Sequence, residues 1–216
     1  MKQESCRFSG GSVKKPELLS LDDNFTLADV TVIGRARHGK DTVANMLRVL
    51  DDRFERIALA DELKEHVAGL LSMSVLNLDL ERGKFSKASY SKEHFLTEFK
   101  THKTKYRPLL QWFGTEFVRD FDDRYWIKAL NRGSRQSGAR YVLTDARFPN
   151  EIESRKEFGD FIIKVERPDM VINESNHASE SQIDSLPYHI LIKNDGTVED
   201  LFGQVREVFD AYLKKA

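Results

Sequence analysis

The stretch Asp29-Val-Thr-Val-Ile-Gly-Arg-Ala-Arg-His-Gly-Lys-Asp-Thr42 decides the fold. A short β-branched run ends at Gly34, four residues separate it from Gly39-Lys40, and an amphipathic segment follows. Strand, glycine loop and helix in that order make a phosphate-binding loop. The two glycines let the backbone curl so that successive N–H groups point inward at phosphate oxygens, and the helix adds its positive end. Lys40 then reaches the β- and γ-phosphates of a nucleotide. Gly34, Arg37, His38, Gly39, Lys40, Asp41 and Thr42 form the expected ATP-contacting set. One position departs from the pattern: the residue after the lysine should be Ser or Thr and is Asp41, with Thr42 one place late. Taken alone, the stretch also reads as an ordinary tight strand-helix turn.

Downstream, Val43, Met46, Leu47 and Leu50 recur at helical spacing, so the loop is followed by a helix with one buried face. Arg56-Ile-Ala-Leu-Ala60 reads as a covered parallel strand, with Asp61 as the cap of the next helix. Residues 82–107 are rich in lysine and arginine and form the expected insertion, a solvated surface or a substrate-side flap. Pro108 is expected to open a helix at its first position. The apolar residues that follow, from Leu109 to Phe121, suggest that this helix is central. A further helix runs from Tyr125 through Asn131, and Arg107, Arg119 and Arg124 lie where they can converge on an anion.

Tyr141-Val-Leu-Thr-Asp145 is the second informative strand. A carboxylate at its carboxyl end, beside the phosphate loop, suits a magnesium-bound water. Arg147 and Glu151 bring further charge to the same strand end. Phe161–Glu166 and His189–Lys193 read as the last two strands, and Thr197-x-x-Asp200 as a capping box before the final helix. Residues 168–187 between them are a lid-like segment, in which His177 has no cysteine or second histidine at metal-ligand spacing. Strands alternating with helices imply an α/β fold: a mostly parallel five-stranded sheet, helices on both faces and ligands at the carboxyl ends of the strands.

Composition fits this outline. The 216 residues suit one domain at 28–216 behind an N-terminal extension at 1–27, and 40% hydrophobic content is enough for a core. A net charge of −1 argues against a polyanion binder, so no stable nucleic-acid partner is expected. Cys6 is the one cysteine, which excludes an internal disulfide and fits a reducing cytoplasm. No apolar run approaches the roughly 20 residues needed to cross a bilayer, and the first residues lack the apolar core of a signal peptide.

Several motifs occur together in order: Gly39-Lys-Asp-Thr42, Leu110-Gln-Trp-Phe-Gly-Thr115, Arg124-x-Trp126, Asp145-x-Arg147-x-x-x-Glu151, Val165-Glu-Arg-Pro168, His177-x-Ser-Glu180 and Asn194-Asp-Gly196. In this the chain resembles the tailed-phage deoxynucleoside monophosphate kinases, over roughly residues 28–210. The resemblance implies the P-loop kinase fold and transfer of the ATP γ-phosphate to a deoxynucleoside monophosphate. It makes Gly-Lys-Asp-Thr a trait of the family and implies that Asp145, Arg147 and Glu151 serve substrate or catalysis. The chain departs from the family in its N-terminal tail and in Arg35, Ala36, Arg37 and His38 inside the loop. A phage-encoded enzyme would act in the host-cell cytoplasm, and a homodimer stays open.

The residues suit that chemistry independently. A phosphate acceptor with a second pKa near 6 is already an anion at neutral pH, so the work is positioning and charge neutralisation. Lys40, Arg124, Asp145, Arg147 and Glu151 are the expected catalytic group. Lys64, Arg107, Trp112, Arg124, Arg147 and Glu151 are expected on the acceptor, and Asp41 and Asp145 around Mg2+ through water. Trp112, Tyr125 or Trp126 is available to stack on the acceptor base. Two alternatives are a P-loop kinase for another phosphorylated metabolite, of the dephospho-coenzyme A type, and a nucleotide-binding switch that transfers nothing.

Overall fold

The computed structural model describes residues 29–73, 77–79, 84–86, 91–132, 138–168, 170 and 182–214. The N-terminal extension, His177 and most of the lid-like segment lie outside them. The central sheet contains β1 (Val30–Ile33), β2 (Phe54–Ile57), β5 (Arg140–Leu143), β6 (Phe161–Glu166) and β7 (Ile190–Lys193) in the order β2-β5-β1-β6-β7. Every neighbouring pair is parallel. A separate antiparallel pair joins β3 (Asn77–Asp79) to β4 (Lys84–Ser86).

Parallel strands need crossovers, and helices supply them. Among the described residues they are α1 (Lys40–Leu50), α2 (Leu59–Met73), α3 (Lys92–Thr101), α4 (Lys103–Gln111), α5 (Val118–Phe121), α6 (Tyr125–Arg132) and α7 (Pro149–Glu157); α8 (Val198–Val208) follows the last strand. A π-helical segment, Trp112–Phe117, links α4 to α5. Alternate residues of β1 and β6 face opposite ways, so each side of the sheet carries its own apolar layer. Val30, Val32, Phe161, Ile163 and Val165 pack under α1 and α8 against Leu47, Leu201 and Val205. Ile33, Leu143 and Ile162 pack on the other side against Leu59, Trp126 and Ile152. A smaller cluster fastens α3 to α2 through Phe99, Val67 and Ala68.

From β1 the chain goes to β2 on one side and later to β6 on the other, so β1 marks the point where the strand order reverses. Open α/β sheets bind ligands at the carboxyl ends of their strands at such a point. The loop after β1 and the loop after β5 both emerge there.

Several local expectations change. β2 ends at Ile57, and α2 already begins at Leu59, with Asp61 inside its first turn. The Asp145 carboxylate accepts hydrogen bonds from the N–H groups of Leu59 and Ala60 at 2.8 Å each, so a residue distant in sequence caps this helix. Pro108 lies inside α4 rather than at its start. The helix around it is peripheral, not central: Leu109, Trp112, Phe117 and Phe121 are exposed, Phe121 by 81%. The rings of Trp112, Phe117 and Phe121 cover one another on the surface, with Trp112–Phe117 and Phe117–Phe121 centroids 5.4 Å apart. The capping box at α8 is present: Asp200 N–H donates to Thr197 Oγ1 at 3.2 Å, and Thr197 N–H to Asp200 Oδ2 at 2.9 Å.

Candidate active site

The loop between β1 and α1 needs glycine at both ends. Gly34 has φ 152°, and a Cβ there would lie 2.4 Å from the carbonyl oxygen of Val165. Gly39, at φ 105°, is the N-cap of α1, and a Cβ there would lie 2.7 Å from Asn194 Nδ2. That amide donates to the His38 carbonyl at 3.0 Å, so the turn after β7 braces the loop. Lys40 opens α1 and its Nζ donates to the Arg35 carbonyl at 2.8 Å. Arg35 is held in turn by Asp184, which accepts from Arg35 Nε at 3.1 Å.

Arg37 and His38 behave differently. Arg37 is exposed at the crest of the loop, in the left-handed region with φ 64°. His38 is buried, its Nδ1 3.3 Å from both the Val165 carbonyl and the Arg167 N–H. Burial lowers its pKa and keeps the ring neutral. The side chain expected on ATP therefore packs the loop against β6 instead.

Asp41 acquires a structural role the sequence left open. Its Oδ1 accepts from Arg56 Nε at 3.0 Å and from Thr144 Oγ1 at 3.1 Å. The second bond ties the start of α1 to the end of β5, so loop and strand end share one rim. Asp41 and Thr42 are both exposed.

Beside the loop opens a cavity of about 570 Å³. Its apolar wall includes Leu59, Leu63, Phe99, Leu110, Trp126 and Phe148. Lys64, Lys100, Lys103, Arg107, Arg119 and Arg147 bring six cationic side chains to it, against the acids Asp145 and Glu151. Five of these cations divide into two sets. Lys64 pairs with Asp61 at 2.7 Å, and Arg119 Nη1 with Glu151 Oε1 at 2.7 Å. Lys100, Lys103 and Arg107, on α3 and α4, have no acidic partner among the described residues.

Both acids are committed to the fold as well as to the cavity. Burial pushes the Asp145 carboxyl above its ordinary range, against the pull of the Ala60 and Leu59 N–H bonds. Burial likewise raises Glu151. Glu151 Oε2 accepts from the N–H groups of Arg147 at 2.8 Å and Phe148 at 3.1 Å, capping α7, while Oε1 holds Arg119. The Arg119 guanidinium also lies 3.9 Å over the Phe148 ring.

The structure thus brings together Lys64, Arg107, Asp145, Arg147 and Glu151 around one cavity, next to the loop residue Ala36. Two expected members stand elsewhere. Arg124 is outside the cavity, its Nη2 3.5 Å from Glu153 on the surface. Trp112 faces solvent and packs on Phe113 and Phe117. Trp126 is the cavity tryptophan, with its Nε1 donating to the Gly114 carbonyl at 2.9 Å. Arg119, grouped in sequence with the other two arginines, takes the place expected for Arg124. Lys100 and Lys103 were visible only as part of a basic stretch. Among the described residues no group of three His, Cys, Asp or Glu side chains could hold a metal ion, and no helix is long and apolar enough to cross a membrane.

A parallel sheet with a glycine-lysine loop at its central strand and a cation-lined cavity alongside defines the P-loop kinase class. A family model described as deoxynucleotide monophosphate kinase matches residues 74–205, more than half of the chain, and the chain belongs to that family. Curated relatives agree. A protein of Acanthamoeba polyphaga mimivirus, provisionally named a deoxynucleotide monophosphate kinase, is 30% identical over 120 residues, covering 48% of this chain and 61% of the relative. The deoxynucleotide monophosphate kinase of Enterobacteria phage T4 is 30% identical over 105 residues, covering 46% of this chain and 43% of the relative. That of Escherichia phage RB69 is 32% identical over 109 residues, with 47% and 43% covered. The chain thus spans about half the length of the curated relatives it matches. The family match begins after the phosphate loop, and the fold joins that loop to the matched part.

Proposed function

We propose that the protein transfers the γ-phosphate of ATP to a deoxynucleoside 5′-monophosphate, giving the diphosphate and ADP. The observation that carries this reading is the cavity beside the phosphate loop, in which Lys100, Lys103 and Arg107 have no acidic partner among the described residues. Unpartnered cations facing one apolar-walled space suit a ligand that is part anion and part ring.

On this reading the N–H groups between Gly34 and Lys40 receive the donor phosphates, and Lys40 exchanges the Arg35 carbonyl for phosphate oxygens. The acceptor's phosphate lies against Arg107, Lys100 and Lys103, with Arg147 where the phosphoryl group passes between donor and acceptor. An acceptor that is already an anion needs no general base. The residues align the two nucleotides and offset repulsion between their phosphates. Asp145 fixes the start of α2 and with it Lys64. Glu151 fixes Arg119 and the backbone of Arg147, so both acids position cations.

Mg2+ fits the oxygen donors at the start of α1: the Thr42 hydroxyl and the exposed Asp41 carboxylate are hard ligands of the kind it takes, directly or through water. Bound there, it would neutralise charge on the β- and γ-phosphates. An enzyme drawing on these substrates would act in the cytoplasm, that of the host cell for a phage-encoded protein.

ADP release measured with ATP, magnesium and a panel of acceptors tests the reading. Turnover should require a deoxynucleoside monophosphate and disappear in Lys40→Ala. Turnover with dephospho-coenzyme A alone would assign the cavity to another phosphorylated metabolite. Slow hydrolysis indifferent to every acceptor would make the chain an ATPase or a switch.

A further inference from the structure

A string of charged side chains runs from the phosphate loop to the cavity. β2 is an edge strand of the sheet, and its Phe54 and Arg56 point the same way, toward α1. Arg56 Nε donates at 3.0 Å to Oδ1 of Asp41, in the first turn of α1. On its other side, Arg56 Nη1 lies 3.7 Å from Oδ2 of Asp61, in the first turn of α2. Asp61 Oδ1 accepts from Lys64 Nζ at 2.7 Å, and Lys64 lines the cavity. Asp41, Arg56, Asp61 and Lys64 therefore alternate in sign from one half of the site to the other.

The string is free to rearrange. Each of its four side chains is 30% or more exposed, so water can replace a contact that is given up. The ion pair of Arg155 with Asp160, buried on both sides, has no such freedom. Asp61 is shared between two cations, Lys64 in close contact and Arg56 at longer range. As Arg56 draws nearer to Asp61, it neutralises more of the charge that Lys64 feels. What Arg56 does at one end therefore sets how firmly Lys64 is held at the other.

We propose that Arg56 is a positioning residue that couples the two substrates: nucleotide bound at the loop draws Asp41 away, Arg56 turns to Asp61, and Lys64 passes from Asp61 to the acceptor phosphate. This rests on the donor and acceptor assignments above. Asp41 is an exposed carboxylate at the start of α1, and Mg2+ arriving with ATP competes there with the Arg56 guanidinium. Without the donor, Arg56 stays divided between two acids and Lys64 stays on Asp61, so the cavity holds the acceptor less firmly. Coupling of this kind is reciprocal, and the acceptor tightens the donor by the same factor.

Titration calorimetry tests this with whichever of dGMP, dTMP, dAMP and dCMP is turned over fastest. Its Kd is measured on the chain alone and on the chain saturated with Mg2+ and the non-hydrolysable analogue AMP-PNP. In wild type the analogue should tighten acceptor binding about fivefold, the low end of coupling between sites, because these ion pairs are open to water. In Arg56→Gln the acceptor should bind as weakly with the analogue as without it. Asp61→Asn should lose the coupling in the opposite sense: Lys64 is released from the start, and the acceptor binds tightly in both conditions. A merely structural role would weaken binding in both variants. Coupling that survives in either variant, weak binding in both, or no coupling in wild type overturns the relay while leaving the kinase reading intact. A wild-type chain that neither binds nor phosphorylates any of the four overturns both.

Discussion

The two rims of the central sheet handle charge in opposite ways. At the amino-terminal rim, buried charges are matched within the protein. Arg155 is fully buried and donates to both oxygens of Asp160 at 2.8 Å, while Thr31 Oγ1 donates to Asp160 Oδ2 at 2.6 Å. Asp29 Oδ2 accepts from the same guanidinium at 3.3 Å, and Arg140 pairs with Asp51 at 3.2 Å while lying over the Phe54 ring. At the carboxyl rim, Lys100, Lys103 and Arg107 face a cavity with no acid among the described residues paired to them. A buried ion without a partner is costly, so the first rim must be complete within the chain. The second is half-open to water and can leave its charges for a ligand.

That contrast makes catalysis and stability separable. The largest effect is expected for Arg147→Ala, which should lower turnover by about two to four orders of magnitude, as other arginines in phosphoryl transfer do. Its thermal unfolding should stay near wild type, and a near-wild-type rate would remove Arg147 from the reaction. Arg155→Met should do the reverse. Leaving Asp160 buried without its cation should cost about 3–5 kcal/mol of stability in urea unfolding, with kcat per folded molecule unchanged. Lost activity at full stability would contradict the division.

A smaller effect sharpens the picture of the open rim. Replacing Lys100 and Lys103 together by Ala removes no ion pair among the described residues, so stability should move by no more than about 0.5 kcal/mol. The KM for the acceptor should rise about tenfold or more, the scale of one hydrogen bond to a charged group, and the KM for ATP should not. Equal rises for both substrates would place these lysines in a general electrostatic field instead.

The smallest effect concerns pH at the closed rim. His189 Nδ1 accepts the Ile162 N–H at 2.9 Å, and burial lowers the histidine pKa from 6.5 to about 4. The folded state therefore binds this proton less readily than the unfolded chain. Its contribution is fully present above pH 6.5 and is lost progressively as the pH falls toward about 4. Melting temperatures of wild type and His189→Asn between pH 7 and pH 4 should converge as the pH falls. A constant difference would show that the ring does not titrate in this range.

Parts of the molecule were legible because they are local. The glycines at 34 and 39, the apolar strand ending before Asp145 and the Thr197–Asp200 capping box each depend on residues a few positions apart. Position at a strand end was readable for Asp145, but the use of its oxygens was not, because Leu59 and Ala60 join it only through the fold. Between Leu109 and Phe121 the reading failed for a different reason. The number of apolar residues suggested a central helix, but a count does not say which face each side chain takes, and the π-helical turn at Trp112–Phe117 alters their phase.

The sequence by itself determined that this chain is an α/β protein with a phosphate loop, and which strand end shares its rim, because backbone geometry and the alternation of strands and helices constrain both. Only the tertiary structure decided which charges are already neutralised and which remain for a ligand. A side chain's availability depends on the partners that folding brings within hydrogen-bond reach, and those partners come from anywhere along the chain.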